Sequence, residues 1–108
     1  VEQGVCSAED VDVAITSGPG LRWALFGPYI NMQLANQKGF IEAIHHLGPP
    51  MTEWWNDMHA FQHSDETTGL LEAQTNQLLT QYKDIDLYQT RDKGLVDILK
   101  LRQQLKLD

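Results

Sequence analysis

The stretch Ser7-Ala8-Glu9-Asp10-Val11-Asp12-Val13-Ala14-Ile15-Thr16-Ser17-Gly18-Pro19-Gly20-Leu21-Arg22-Trp23-Ala24-Leu25-Phe26-Gly27-Pro28 decides how the chain is read. Ser7 can accept from the free amides of a helix start, and Glu9 and Asp10 suit the positive end of that helix. Val11, Ala14 and Ile15 recur at helical spacing, and Gly18-Pro19-Gly20 is expected to stop the run. Leu21 to Phe26 is a second apolar segment, broken only by Arg22. Gly27-Pro28 closes it. Pro28 suits the first position of a further helix, because its fixed φ fits there and its missing N–H is not needed.

The same punctuation continues downstream. Ile30, Leu34 and Ala35 can form the inner face of the helix opened by Pro28, and Gly39 interrupts it. Phe40, Ile41, Ala43, Ile44 and Leu47 resume a helical pattern, expected to end at Gly48-Pro49-Pro50. Thr52 is expected to open a helix containing Trp54, Trp55, Met58 and Phe61. Asp65 or Thr67 starts another, with Leu70, Leu71, Leu78, Leu79 and Tyr82 at suitable intervals. Thr90 is expected to cap the last helix, where Leu95, Ile98, Leu99 and Leu105 share a stripe. Upstream, Val1-Glu2-Gln3-Gly4 reads like the last turn of a helix already begun, with Gly4 just past its end, so the expectation is a piece of a larger protein. No period-2 alternation, hairpin signal, repeat or low-complexity tract occurs. The fold class expected is all-α, a compact bundle of about six helices in one domain, residues 1–108.

Composition narrows the function. The 108 residues hold 8 Lys+Arg against 15 Asp+Glu, a formal charge of −7, with 42% apolar and 21% charged residues. That is ordinary globular composition and argues against disorder. The acidic balance leaves no basic stripe for phosphates, so no nucleic-acid partner is expected. The longest apolar run is the four residues Trp23 to Phe26, too short for a bilayer, so no membrane partner is expected either. The single cysteine, Cys6, excludes an intramolecular disulfide and fits a reducing, cytoplasmic location.

No self-contained catalytic set is visible. His59 and His63 are four apart and would share a helical face, a spacing that can hold zinc. The residues between them include no carboxylate, so two surface histidines, binding at most an adventitious metal, are the plainer reading. His45 and His46 are adjacent and point about 100° apart on a helix, so they do not converge. Cys6 has no histidine nearby in sequence to activate it. Serine occurs three times without a nucleophile-elbow pattern. Gly18-Pro19-Gly20 leads into Leu21-Arg22 rather than the glycine or lysine that would cradle a phosphate. Catalytic, cofactor-binding and metal-binding residues are therefore expected to be none. Arg22 is the exception to blandness: within an apolar run it needs an anion, a set of carbonyls or an aromatic face if buried. It could clamp a carboxylate, pair across a subunit interface or cap the preceding helix. For Trp54-Trp55, one ring is expected inward and its neighbour outward, where an exposed tryptophan can mark an interface.

Two stretches carry a resemblance. Gly4-Val5-Cys6-Ser7-Ala8-Glu9-Asp10-Val11-Asp12 resembles the opening of the C-terminal domain of the 3-hydroxyacyl-CoA dehydrogenase family. Gly18-Pro19-Gly20-Leu21-Arg22-Trp23-Ala24, followed by Gly27-Pro28, looks like the signature of the branch holding L-carnitine dehydrogenase and L-gulonate 3-dehydrogenase (lambda-crystallin). Arg91-Asp92-Lys93 before the last helix is similar to that branch, whereas acyl-CoA members usually end in a Gly-rich, aromatic segment that is absent here.

The resemblance implies the helical C-terminal domain of a 6-phosphogluconate-dehydrogenase-like architecture, closing the substrate cleft and forming most of a homodimer interface. It implies NAD on an upstream Rossmann domain, which would also hold the catalytic His and Glu and the substrate-binding Ser, and it implies an Asn in the first helix of the helical domain, lying before Val1. The implied reaction is oxidation of a 3-hydroxy acid or 3-hydroxyacyl-CoA, as in fatty acid or carnitine metabolism, with the isolated piece inactive. Arg22, Trp23, Phe26, Gly27 and Pro28 match cleft-facing or interface positions. Arg22 would contact a carboxylate or brace the dimer, and Trp23 and Phe26 would form an apolar or cation-accepting wall. The competing expectation is a stand-alone helical interaction module without activity, and a third is a small metalloprotein centred on His59 and His63.

Overall fold

The computed structural model describes residues 1–62 and 64–108. Among the described residues are six α-helices and no strand: α1 (Ala8–Ser17), α2 (Pro19–Leu25), α3 (Pro28–Leu34), α4 (Phe40–Asp57), α5 (Asp65–Leu79) and α6 (Leu87–Gln104). A 3₁₀ turn, Thr80–Tyr82, follows α5. The expected all-α class and helix number are met. The chain divides into two compact units, Val1–Leu21 with His63–Asp108, and Arg22–Gln62.

In the first unit, α1 packs on α5. Ser7 begins α1 as expected, and its Oγ accepts from the Asp10 amide at 3.1 Å. Asp10 Oδ2 in turn accepts from the Ser7 amide at 2.8 Å, completing a capping box with aspartate in place of the usual glutamate. The free amide of Ala8 donates to Gln74 Oε1 of α5 at 2.7 Å, so the helix start is also tied to its packing partner. Thr67, the buried polar residue of α5, donates to Glu2 Oε1 at 3.3 Å. At the end of α1 the chain turns at once into α2. A Cβ on Gly18 would lie 2.7 Å from the Ala14 carbonyl oxygen, and one on Gly20 2.7 Å from that of Ile15. Only glycine fits so close a turn, and Pro19 makes the stop the first residue of α2.

Helices α5 and α6 are capped by their own side chains. Ser64 Oγ accepts from the Thr67 amide at 3.1 Å, so α5 opens at Asp65, one of the two expected starts. Helix α6 starts earlier than expected: Asp86, not Thr90, is its cap, accepting from the Gln89 amide at 3.0 Å. A carboxylate is as good an acceptor as a hydroxyl, and Leu87 to Gln89 are helix-compatible, so the earlier cap takes the extra turn. At the other end Lys106 adopts a left-handed φ of 57°. The Leu107 amide reaches Arg102 O and the Lys106 amide reaches Gln103 O, both at 3.0 Å, which is a Schellman termination. Arg102 also clasps Asp108 at 2.7 Å, holding that carboxyl below the usual carboxylate range. The stripe Leu95, Ile98, Leu99 and Leu105 is exposed along α6.

In the second unit, α3 packs on α4 around the buried Ala43. The Tyr29 and Phe40 rings meet at 6.3 Å between centroids. Gly39, at φ 93°, precedes α4, and Gln33 Oε1 caps it by accepting from the Phe40 amide at 2.9 Å. Helix α4 corrects the expected break at Gly48-Pro49-Pro50, because it runs through both prolines, and Thr52 sits inside it. The prolines remove only the two donors that would reach the His45 and His46 carbonyls. Both histidines are exposed, so water can take those carbonyls, and the proline φ is itself helical. The helix then stops at Asp57, with Met58 extended (ψ 142°), which leaves His59 and Phe61 outside any helix. Trp54 and Trp55 are 66% and 62% exposed, so neither ring is the inward one expected. The unit Arg22–Gln62, in which Ala43 is the buried hydrophobic side chain, has no core wide enough to take an indole.

Two outcomes follow. Gly39→Ala forces a Cβ into left-handed backbone 2.9 Å from Gln33 Nε2, and should cost about 1–2 kcal/mol in urea unfolding. The Asp10 carboxyl is held below its ordinary range, first by the Ser7 backbone amide and then by the Ser7 hydroxyl. A lowered carboxylate contributes above its unfolded value and is lost as pH falls through its folded one. Exchange of the Ser7 amide should therefore quicken in excess of its intrinsic pH dependence on acidification through that lowered value, and Asp10→Asn should remove the transition.

Candidate functional site

The corner between α2 and α3 gathers the candidate residues. Gly27 at φ −69° and ψ 175° turns the chain, and Pro28 opens α3 at its first position, as expected. Within the same unit Arg22 and Phe26 line a cavity of about 490 Å³ together with Leu25, Asn31, Leu34 and Ala35. Small-molecule pockets fall in a range of roughly 300–1,000 Å³. Its walls are hydrocarbon except at Arg22 and Asn31. Arg22 is exposed, and among the described residues it makes no ion pair or side-chain hydrogen bond. A cation beside apolar walls suits an anionic group with a hydrocarbon body, the charge held by a guanidinium able to bind both carboxylate oxygens.

Of the five sequence-predicted residues, Arg22 and Phe26 line this cavity, and Gly27 and Pro28 form the turn beside it. Trp23 is 59% exposed and is not part of the lining. Asn31 is the residue that sequence reading passed over. Its Nδ2 donates to the Phe26 carbonyl at 2.6 Å and to the Gly27 carbonyl at 3.1 Å. The signal was available, since asparagine in a helix's first turns usually serves a nearby backbone group.

The other candidates stay apart. His59 lies beyond α4 rather than on a helical face, and its proposed pairing with His63 falls outside the described residues. His45 and His46 are both exposed. Among the described residues no group of three or more His, Cys, Asp or Glu could hold a metal ion. Cys6 is a half-buried free thiol, 4.0 Å from the Val1 amine. A smaller cavity of about 210 Å³ between α1 and α5 is lined by Ser7, Glu9, Gln74, Gln77 and Leu78. Its polar groups are spent mainly on packing, through the Ala8–Gln74 bond and a Gln81–Glu9 bond of 3.0 Å. Among the described residues no helix is long and apolar enough to cross a membrane.

No family model matches the chain. It is 36% identical over 110 residues to a 3-hydroxyacyl-CoA dehydrogenase of Gibberella moniliformis, a match covering 97% of this chain and 34% of that protein. It is 34% identical over 109 residues to an L-carnitine dehydrogenase of Bacillus cereus, covering 96% of this chain and 32% of that one. An L-carnitine dehydrogenase of Nocardiopsis dassonvillei is 29% identical over 107 residues, covering 98% of this chain and 32% of its own. The chain belongs to the 3-hydroxyacyl-CoA dehydrogenase family. It spans about a third of the length of the relatives it matches.

Proposed function

We propose that this chain is the helical C-terminal part of an NAD-dependent dehydrogenase acting on a 3-hydroxy acid, where it supplies one wall of the substrate cleft. The observation that carries this is Arg22: a guanidinium with no partner among the described residues, beside a hydrocarbon-walled cavity, in a chain whose relatives are named 3-hydroxyacyl-CoA and L-carnitine dehydrogenases. Arg22 binds the substrate carboxylate, and Phe26 with Leu25 and Leu34 excludes water from its carbon chain. A charged hydrogen bond in such surroundings is stronger than in water. A carboxylate at Arg22 favours the small hydroxy acids over the acyl-CoA thioesters, which lack that group. Trp23, exposed at the same corner, serves an interface.

The described residues do not fit NAD. They contain no strand and no glycine-rich strand-to-helix turn, and Gly18-Pro19-Gly20 is filled by the α1–α2 turn itself. In this reading the oxidant, the proton acceptor and the reaction centre belong to the rest of the enzyme. The whole protein is a cytoplasmic homodimer. Its apolar α6 stripe and the Trp54–Trp55 end of α4 support association with another surface.

Arg22→Ala in the full-length enzyme should raise KM for the carboxylate substrate at least tenfold, the size of about 1.5–3 kcal/mol for a hydrogen bond to a charged group. Unchanged KM, turnover and dimer affinity would remove both roles given to Arg22. Calorimetric titration of the 108-residue chain with NAD should show no binding, and saturable binding would place the cofactor site in this chain instead.

A further inference from the structure

We infer that Asn31 is the positioning residue of the Arg22 cavity, an inference that rests on the carboxylate-binding reading given above. Its side chain adds two hydrogen bonds to the helical one that already joins Asn31 to Gly27. Nδ2 reaches the Phe26 carbonyl at 2.6 Å and the Gly27 carbonyl at 3.1 Å, while the Asn31 amide bonds Gly27 O at 3.1 Å. One half-buried side chain thus fixes the last residue of the α2 segment, the turn and the first turn of α3 as a single body. The Phe26 amide bonds the Arg22 carbonyl at 2.9 Å, so the position of Phe26 is also the position of the Arg22 backbone. The chain therefore runs from Asn31 through Phe26 to Arg22, and all three line the same cavity.

The orientation of the amide is determined. Turning it over would set Oδ1 against two carbonyl oxygens, whereas Nδ2 has two hydrogens for two acceptors. Nothing else in the turn replaces these bonds, because Gly27 provides no side-chain cap and Pro28 has no N–H. Without Asn31 the turn keeps only its helical bonds. The guanidinium then samples a wider arc, and the substrate has to be bound against that freedom.

The test compares Asn31→Thr with Asn31→Val in the full-length enzyme, with L-carnitine and L-gulonate as probes and NAD as the oxidant. The two side chains have nearly the same shape, but the threonine hydroxyl can donate to the carbonyl four residues back, that of Gly27. The valine cannot. Asn31→Val should raise KM roughly three- to tenfold with kcat unchanged, as expected for one or two lost neutral hydrogen bonds, and Asn31→Thr, which keeps the Gly27 bond but loses the Phe26 bond, should recover only part of that rise. In an Arg22→Ala background Asn31→Val should change KM no further, because nothing is left to position. Equal KM for the Thr and Val variants, or the same Val effect with and without Arg22, overturns the inference. The carboxylate reading then survives if Arg22→Ala alone still raises KM. If Arg22→Ala leaves KM unchanged, or neither probe is oxidised, that reading falls and the inference with it. Should Asn31→Val lose its helical circular dichroism, Asn31→Ala takes its place with the same expected outcomes.

Discussion

A helix in water leaves its first amides without partners, and in this chain the supply of those partners governs what the rest can do. Three helices open on side-chain acceptors: Ser7 for α1, Ser64 for α5 and Asp86 for α6. Helix α4 borrows Gln33 from α3, and α3 avoids one amide altogether by starting on Pro28. These local bonds matter more than usual because burial is scarce. Ala43 is the buried hydrophobic residue and Thr67 the buried polar one among the described residues. Short helices are marginal in water by themselves, so ends secured by caps stand in for faces secured by a core.

The α2–α3 corner shows how the same constraint makes a site. Gly-Pro sequences start helices cheaply but leave the turn before them poorly held. Here the slack is taken up by Asn31, which spends both amide hydrogens on the Phe26 and Gly27 carbonyls. A corner fixed in this way can present Arg22 without burying it. In the proposed reading the guanidinium, unpaired among the described residues, stays hydrated until an anion arrives, which avoids the large cost of a buried lone charge. An ion pair within the chain would have used up that capacity.

Much of this was legible in the residues because caps, proline starts and glycine stops act over three or four positions. Ser7, Pro28 and the Asp65 start were readable for that reason, and Arg22 stood out as a charge in an apolar run. The misses came where two local rules competed or where tertiary context decided. Gly48-Pro49-Pro50 looks like a stop, yet each proline removes only one donor, and exposed carbonyls at His45 and His46 tolerate that. Thr90 and Asp86 are both good caps, and nothing local ranks the later one higher. Asn31 was hidden for a different reason: its role is a pair of bonds to carbonyls, and carbonyls are the same at every position of a sequence. Trp54 and Trp55 could not be sorted inward or outward, because that depends on packing rather than spacing, and both rings stay exposed where α3 packs on α4.

The surface left open is large. The 108 residues expose 9436 Å². A compact globule of 12.3 kDa exposes roughly 6,000 Å², and the same mass as two independent globules roughly 7,300 Å². The excess over even the second figure is about 2,000 Å², the upper end of what a stable protein–protein interface buries in total. The exposed apolar residues include some that gain most from leaving water, the two indoles of α4 and the leucine–isoleucine stripe of α6. Caps can hold helices in shape, but they provide no reason for a tryptophan pair and a leucine stripe to be selected on the outside. In the proposed reading, burial against the rest of a dehydrogenase and a second copy of it would supply that reason.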